Sequence, residues 1–265
     1  MTAATLYTPA FFADPYPTYH TLRDLGPVYR DGHTWMVTRH AHIKAAAHDP
    51  RLRKGPVTQS LVAALPPAVR TAAAPFSDSI AKNMLRVDPL GHARLRGLVS
   101  KAFTPRTVET LRPRIERLVV DLLDAVEPAG GMEVIRDFAN PLPAIVIMEM
   151  LGIPPEDRDR FKAWSDDQMA FLGGRFPGDP LGPALRASES TIAMNGYLRG
   201  LMAERRRAPR ADLISAMVAV EDHGERLTEP ELVSTTSLLL VAGHETTTHL
   251  IGNDGLSGDT GRAHG

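Results

Sequence analysis

The sequence predicts a mainly α-helical protein that carries one small β-hairpin near its N-terminus. From Gly91 onward, apolar residues recur along most of the chain at the spacing expected of amphipathic and buried helices. Asp31-Gly32 lies between two short runs rich in β-branched and aromatic residues, which is the usual signal of a hairpin turn. Thr228 and Glu231 form a capping box, which marks the start of a long apolar helix near the end of the chain.

Start and stop signals place most of the helices in chain order. Gly26 closes the first and Pro50 follows the second, while Gly152 and Gly224 close two later ones. The expected helices cover residues 15–26, 40–48, 92–103, 106–126, 141–152, 156–172, 183–207, 211–221 and 228–252. Residues 51–80, rich in Pro, Ala and Ser, predict an irregular loop or lid, and residues 132–138 predict a short strand.

Composition narrows the classes of protein that the chain can belong to. The 265 residues carry a net charge of −1, which gives no electrostatic basis for binding nucleic acid or an anionic membrane. No run approaches the ~20 apolar residues that span a bilayer, and no signal peptide begins the chain, so a cytoplasmic location is expected. The sequence contains no cysteine, which excludes disulfides and thiolate chemistry within these residues.

The stretch VAGHETTTH, Val241 to His249, combines small, acidic and hydroxyl residues inside the last predicted helix. A zinc site of the H-E-x-x-H kind needs two histidines four residues apart. His244 and His249 are five apart, so they point about 140° away from each other around a helix, and no metal site is expected. Ala242 and Gly243 leave a gap on one face, beside which Glu245 and Thr246 place a carboxylate and a hydroxyl. The alternative is a helix-packing notch with a partly buried polar patch.

A second stretch, VDPLGHARLR from Val87 to Arg96, begins a helix with two donors on one face. His92 and Arg96 are four residues apart and therefore stack on adjacent turns. Such a pair suits the carboxylates of a ligand, which arginine binds through two parallel hydrogen bonds. The alternative is a solvated basic face, since Arg94 and Lys101 are near.

Taken together, the two motifs resemble those of the bacterial cytochromes P-450. The resemblance covers about residues 5–252, with the motifs in the family's order and spacing. The matching residues are Asp14-Pro15-Tyr16, Asp88-Pro89, His92-Ala93-Arg94-Leu95-Arg96, Phe103-Thr104-Pro105-Arg106 and Ala242-Gly243-His244-Glu245-Thr246-Thr247. It implies the N-terminal part of the cytochrome P-450 fold, mainly α with a small hairpin, and haem-dependent hydroxylation of a small organic substrate with dioxygen.

The resemblance also implies a role for particular residues. His92 and Arg96 would hold the haem propionates, and Ala242 and Gly243 would lie over the distal face of the porphyrin. Electrons would come from a redox partner of the ferredoxin or flavoprotein kind, and the substrate would be small and hydrophobic.

Two residues of the last helix would be catalytic if the resemblance holds. The hydroxyl of Thr246 would lie beside the reacting oxygen, and Glu245 would relay protons from solvent. Four further residues would bind the substrate: Met84, Leu85, Leu238 and Val241.

The sequence departs from that family in its C-terminal part. The family's iron ligand is a cysteine thiolate, which this sequence lacks. Residues 1–252 are expected to form a partial cytochrome P-450 domain, and residues 253–265 a Gly-rich tail foreign to it, of the kind that a frameshift produces. Haem without its proximal wall would make the chain inactive by itself. Two other functions stay open: a non-catalytic binding protein with an apolar cleft, and half of a split enzyme.

Overall fold

The computed structural model describes residues 8–31, 34–52, 59, 62–104, 108–173, 179–220 and 224–260. The chain divides into two compact units, residues 1–54 and residues 55–265. Each unit is described by itself.

The described residues of the first unit form three short helices and an antiparallel hairpin. Its elements are α1 (Pro9–Ala13), α2 (Tyr16–Asp24), β1 (Val28–Asp31), β2 (Thr34–Val37) and α3 (His40–His48). The two helices and the hairpin predicted in this region are confirmed. Of the predicted turn pair Asp31-Gly32, Asp31 belongs to the strand, because it pairs with Thr34. Gly32 lies outside the described residues.

The second unit is helical and carries both sequence motifs. Its α-helices are α4 (Pro67–Ile80), α5 (Pro89–Ala102), α6 (Arg112–Val126), α7 (Pro141–Leu151), α8 (Arg158–Leu172), α9 (Leu181–Arg207), α10 (Leu213–Ala219) and α11 (Glu229–Thr260). Short 3₁₀ turns lie at Glu127–Ala129 and Pro155–Asp157, and a π-helix at Val134–Ala139.

The prediction of an irregular loop at residues 51–80 is wrong for its second half. Residues 67–80 form α4, whose buried side chains include Val69, Ala73 and Phe76 at helical spacing. Pro75 inside the helix and the surrounding alanines obscure that spacing in the sequence. Burial of this face therefore outweighs the proline, which removes one hydrogen bond of the helix. Residues 53–58, 60 and 61 lie outside the described residues.

The strand predicted at residues 132–138 is also wrong. The backbone forms a π-helix instead, with the N–H of Asn140 donating to the carbonyl of Ile135 at 2.9 Å. Glu133 accepts hydrogen bonds from the N–H groups of Ile135 and Arg136, and Asp137 accepts one from the N–H of Glu133 at 2.8 Å. These local side-chain bonds satisfy the first N–H groups of a helix, which a strand would leave to a partner strand.

Two helix boundaries differ from the predicted ones. The helix expected over residues 106–126 is interrupted: residues 108 and 109 are helical, a turn follows at 110 and 111, and α6 begins at Arg112. Pro113 in the first turn of α6 has no N–H to bond the preceding turn. Pro105 lies outside the described residues. The last helix continues past Gly252 to Thr260, since extending an existing helix adds one hydrogen bond for each residue fixed.

Helices α7 to α11 share the main hydrophobic core. A buried arginine ties three of them together at one end of this core. Arg205 of α9 is 1% exposed and donates to Asp212, at the start of α10, and at 2.9 Å to the carbonyl of Gly152, at the end of α7. Within the described ranges, no helix is both long and apolar enough to cross a membrane.

Candidate functional site

Helix α11 begins with the predicted capping box and is fastened there to α5. The N–H of Thr228 donates to Glu231 at 2.9 Å, and the N–H of Glu231 donates back to the Thr228 hydroxyl at 3.4 Å. The other carboxylate oxygen of Glu231 accepts a hydrogen bond from Arg94 of α5. This ion pair joins the two helices that carry the two sequence motifs.

A cavity of about 100 Å³ lies against α11, and three of the four predicted substrate residues line it. Leu238 and Val241 reach it from successive turns of α11, and Leu85 from the loop before α5. Met84 is placed differently: it is 9% exposed and packs with Leu95 and Val99 of α5 in a small core of its own. The cavity therefore brings together Leu85, Leu238 and Val241, whereas Met84 packs in the neighbouring small core and does not line the cavity.

The same cavity has a polar wall that the sequence analysis missed. Its polar lining residues are Ser79, Asn83, Arg86, Gln168, Thr191, Ser234 and Ser237. One signal was available in the sequence, because Gln168 lies seven residues after Phe161 and so falls on the buried face of α8. A polar side chain on such a face needs a partner.

The face of α11 next to the cavity is open to solvent in the second unit. Ala242, Thr246 and Leu250 follow one another at intervals of four residues and are exposed, Leu250 by 67%. The hydroxyl of Thr246 donates to the carbonyl of Ala242 at 2.7 Å. The carboxylate of Glu245 is half-buried and has no hydrogen bond or ion pair within the described ranges. An alanine and a hydroxyl thus share an uncovered apolar face beside an unpaired acid.

Gly243 lies on a different face of α11 from Ala242. A Cβ built on Gly243 would lie 3.0 Å from Cγ1 and 3.2 Å from Cδ1 of Ile147 in α7. Together with Thr247, these residues line an apolar groove of about 280 Å³ between the two helices. The helix-packing alternative therefore accounts for Gly243, while its predicted contact with haem stays a prediction.

The two donors of the second motif share a face of α5, as their spacing predicts. Asp88 caps this helix by accepting from the N–H of Gly91 at 2.7 Å. His92 is half-buried and Arg96 exposed, and neither side chain has a hydrogen bond or ion pair within the described ranges. Arg94 of the same helix is paired with Glu231. It therefore joins helices, whereas the His92 and Arg96 side chains are available to a ligand.

These residues fit one side of a haem group. Two unpaired donors suit the carboxylates of propionates, and Ala242 and Thr246 are exposed with small side chains that leave room for a planar ligand. A thiolate ligand is not among the 265 residues, which contain no cysteine. His244 does not point to the exposed face: its Nδ1–H donates to the Leu240 carbonyl at 2.8 Å, and its side chain lines a pocket of about 20 Å³ on the α7 and α8 side. In the described part of the chain, no group of three His, Cys, Asp or Glu side chains could hold a metal ion.

Comparison with known proteins shows to which family the chain is related. No protein-family model matches the sequence, but cytochrome P450 107B1 of Saccharopolyspora erythraea is 40% identical over 255 residues, which are 94% of this chain and 60% of that protein. The cytochrome P450 monooxygenase PikC of Streptomyces venezuelae is 40% identical over 92% of this chain and 56% of its own length. The chain is a homologue of the bacterial cytochromes P450.

The solved structures agree with that assignment. The crystal structure of CalO2 superimposes with a TM-score of 0.79 at 30% identity, over 95% of this chain and 61% of the other. The predicted fold class, a mainly α cytochrome P450 fold with a small N-terminal hairpin, is confirmed. The chain corresponds to the N-terminal portion of these cytochromes P450 and spans about 60% of their length.

Proposed function

We propose that these residues form the substrate and oxygen side of a haem-dependent monooxygenase that hydroxylates a small, largely apolar molecule with dioxygen. The observation that carries this proposal is the arrangement on α11. Leu238 and Val241 line an internal cavity, and Ala242 and Thr246 form an exposed face immediately beside it. When bound, haem supplies the activation of dioxygen, with electrons delivered by a ferredoxin or a flavoprotein.

Two residues of α5 would hold the cofactor's propionates. Arg96 offers a planar guanidinium that can donate two parallel hydrogen bonds, and His92 offers a ring N–H one turn away. Neither donor is engaged within the described ranges, so binding a carboxylate breaks no existing ion pair. Ala242 leaves room for a flat group against α11, since only a methyl projects there.

Thr246 and Glu245 would handle protons at the reacting centre. The Thr246 hydroxyl now donates to the Ala242 carbonyl, and a rotation about χ1 turns that proton toward the exposed face. The half-buried Glu245 carboxylate lies next along the helix and can take a proton from solvent and return it to the Thr246 oxygen. A hydroxyl that is held in place by the backbone and regains its proton from a neighbouring carboxyl group can act as a general acid.

The thiolate ligand of the iron would come from residues outside these 265, either in a longer chain or in a separate polypeptide. Its electron donation favours cleavage of the O–O bond. We therefore expect the 265 residues alone to bind haem weakly and to give no turnover.

A chimera tests this proposal. Residues 1–252 are joined to the remaining C-terminal part of the Saccharopolyspora erythraea relative, loaded with haem, reduced and exposed to carbon monoxide. The expected spectrum has the red-shifted Soret band of a haem-thiolate complex, whereas the 265-residue chain with added haem lacks it. A folded chimera that binds no haem, or binds it without that band, would contradict the proposal.

Substitutions in the chimera test the role of Thr246. Thr246→Ala is expected to lower the amount of product per electron consumed by about a hundredfold or more, since a single proton-transfer group typically contributes about 10²–10⁴-fold. Thr247→Ala is the matched control, because Thr247 faces the groove beside α7 and donates to the Gly243 carbonyl at 3.2 Å. Equal losses in the two variants would mean a general effect of loosening the helix.

A non-catalytic binding protein is the second candidate, and one observation favours it. The described residues that line the cavity lie in α4, α8, α9, α11 and the loop before α5, so this part of its wall is formed by the protein without haem. Ligand affinity in the haem-free chain, combined with a chimera that takes up no haem, would support this function instead.

A further inference from the structure

Two buried amides face the cavity beside α11 with N–H groups that lack a good partner. Gln168 and Asn83 line the cavity and are each 6% exposed. Within the described residues, the Gln168 side chain has one hydrogen-bond partner, the sulfur of Met194 at 3.8 Å, which also accepts from the Ser237 hydroxyl at 3.1 Å. A thioether is a weak acceptor, so one sulfur serves two donors poorly.

Asn83 has a fixed orientation that leaves its amino group unused. Its oxygen accepts from the N–H of Leu85 at 3.0 Å, and its nitrogen has no hydrogen bond within the described ranges. The hydroxyls nearby are already engaged: Ser234 donates to the carbonyl of Ser79 at 2.7 Å, and Thr191 to that of Ala187 at 2.7 Å. Within the described residues, the amino groups of Asn83 and Gln168 are therefore donors that a ligand in the cavity can engage.

Arg86 adds a positive charge to the same wall. Its side chain is half-buried, and its guanidinium has no ion pair or hydrogen bond to any described residue. Among the residues that the structure describes, no aspartate or glutamate lines the cavity. In a partly desolvated cavity an arginine acts on a negative charge far more strongly than it does in water.

We propose that this cavity binds an apolar carboxylic acid, whose carboxylate is held by Arg86 with the Asn83 and Gln168 amides as further donors. The rest of the ligand would lie against the apolar wall, which is formed by Ile80, Leu85, Met169, Leu172, Leu238 and Val241. The proposal deepens the proposed function, because it names the class of substrate that the monooxygenase would take and places its acidic end away from the exposed face of α11.

Binding of two isosteric probes to the haem-free 265-residue chain tests this inference. Isothermal titration calorimetry compares sodium octanoate with octanamide, which has the same chain length and no charge. Octanoate is expected to bind about tenfold more tightly or better, since hydrogen bonds to charged groups exceed those to neutral groups by roughly that factor. Arg86→Gln should abolish the difference between the two probes.

Two further variants keep the test independent of folding defects in Arg86→Gln. Lys82→Gln is the matched control: it removes the same charge four residues earlier, from an exposed side chain that does not line the cavity, and should preserve the preference for octanoate. Asn83→Asp retains an oxygen to accept from the N–H of Leu85 and should weaken octanoate selectively, because it places a negative charge beside the carboxylate.

Three results would overturn the inference: no binding of octanoate, equal affinities for the two probes, or an unchanged preference in Arg86→Gln. These titrations contain no haem, so their outcome is separate from that of the chimera. A chimera without a haem-thiolate band refutes the monooxygenase proposal and leaves the carboxylate site untouched. A titration with one of the three results above refutes the carboxylate site and leaves the monooxygenase proposal untouched.

Discussion

Replacing Gly243 by alanine separates the two explanations for the small residues in α11. If Gly243 serves helix packing, the added methyl group meets Ile147 of α7, whose Cγ1 would lie 3.0 Å and Cδ1 3.2 Å from it. If it serves a ligand on the exposed face, stability should rise with helix propensity and only binding should suffer. The structure supports the packing explanation, because Ala242 and not Gly243 lies on the exposed face.

The expected magnitude follows from two opposing effects. Alanine in a helix interior is favoured over glycine by about 1 kcal/mol. Overpacking a well-filled core costs about 1–3 kcal/mol, and Ile147 is 7% exposed. Since both contacts are tighter than ordinary van der Waals distance, we expect Gly243→Ala to lower the free energy of unfolding by about 1 kcal/mol in total.

Urea denaturation of four proteins measures this effect as a double-mutant cycle. Ile147→Ala alone should cost about 2–5 kcal/mol by leaving a cavity. In the double variant the new methyl group at Gly243 enters that space, so the two changes should couple favourably by about 1–2 kcal/mol. Octanoate affinity should stay unchanged in Gly243→Ala, because Leu238 and Val241 reach the cavity from another side of the helix.

Gly252→Ala provides the matched control in the same helix. A Cβ at Gly252 would overlap the terminal Cδ1 of Ile135, with the next atom 3.8 Å away. Ile135 is 43% exposed, so its terminal methyl can turn into solvent, and Gly252→Ala should be neutral or stabilising. Additive effects of Gly243→Ala and Ile147→Ala, or a stabilising Gly243→Ala, would refute the packing explanation.

Three further substitutions probe the framework of the second unit, each by urea unfolding. Gly152→Ala should destabilise by about 2 kcal/mol or more, because φ is +74° there and a Cβ would overlap the Asp212 side chain. Arg205→Met should cost about 3–5 kcal/mol by leaving the Asp212 carboxylate buried and unpaired. Burial and a hydrogen bond to Asp157 raise the pKa of Tyr197 above its ordinary value of 10.0, so the stability that this neutral phenol provides is lost as pH rises above 10. Tyr197→Phe should flatten this alkaline loss, at a cost of about 1 kcal/mol at neutral pH; an unchanged alkaline loss would contradict the assignment.

The helices that the sequence predicted correctly are those with chemical signals at their ends. Thr228 and Glu231 cap α11 as their spacing indicates, and Gly152 ends α7 in the left-handed conformation that glycine allows. The errors fall where no such signal exists. In α4, Pro75 interrupts the sequence pattern by which a helix is normally predicted. At residues 132–138 the β-branched residues indicated a strand, whereas the Glu133 side chain caps a helical turn.

The candidate site was predictable only where neighbours in sequence are neighbours in space. Leu238 and Val241, which the family resemblance implied, lie close together on one side of α11, and both line the cavity. Met84 was expected there beside Leu85, but adjacent residues of a turn point in different directions, and Met84 packs into the core. Gln168 of α8 and Arg86 of the loop before α5 line the same cavity although they are 82 residues apart in the chain, and no local pattern in either segment indicates the other.

Helix α11 serves several surfaces because about 100° separates successive residues. Taking Val241 as the origin, Leu238 lies about 60° around the helix, and both line the cavity. Ala242 and Thr246, at about 100° and 140°, form the exposed face, and Gly243 and Thr247, at about 200° and 240°, meet α7. A ligand in the cavity therefore adjoins the exposed face directly, whereas Gly243 is separated from the cavity by the body of the helix. The order of residues around the helix thus explains why a short motif combines a packing contact with two groups for chemistry, and why substitutions one residue apart should affect stability and reactivity separately.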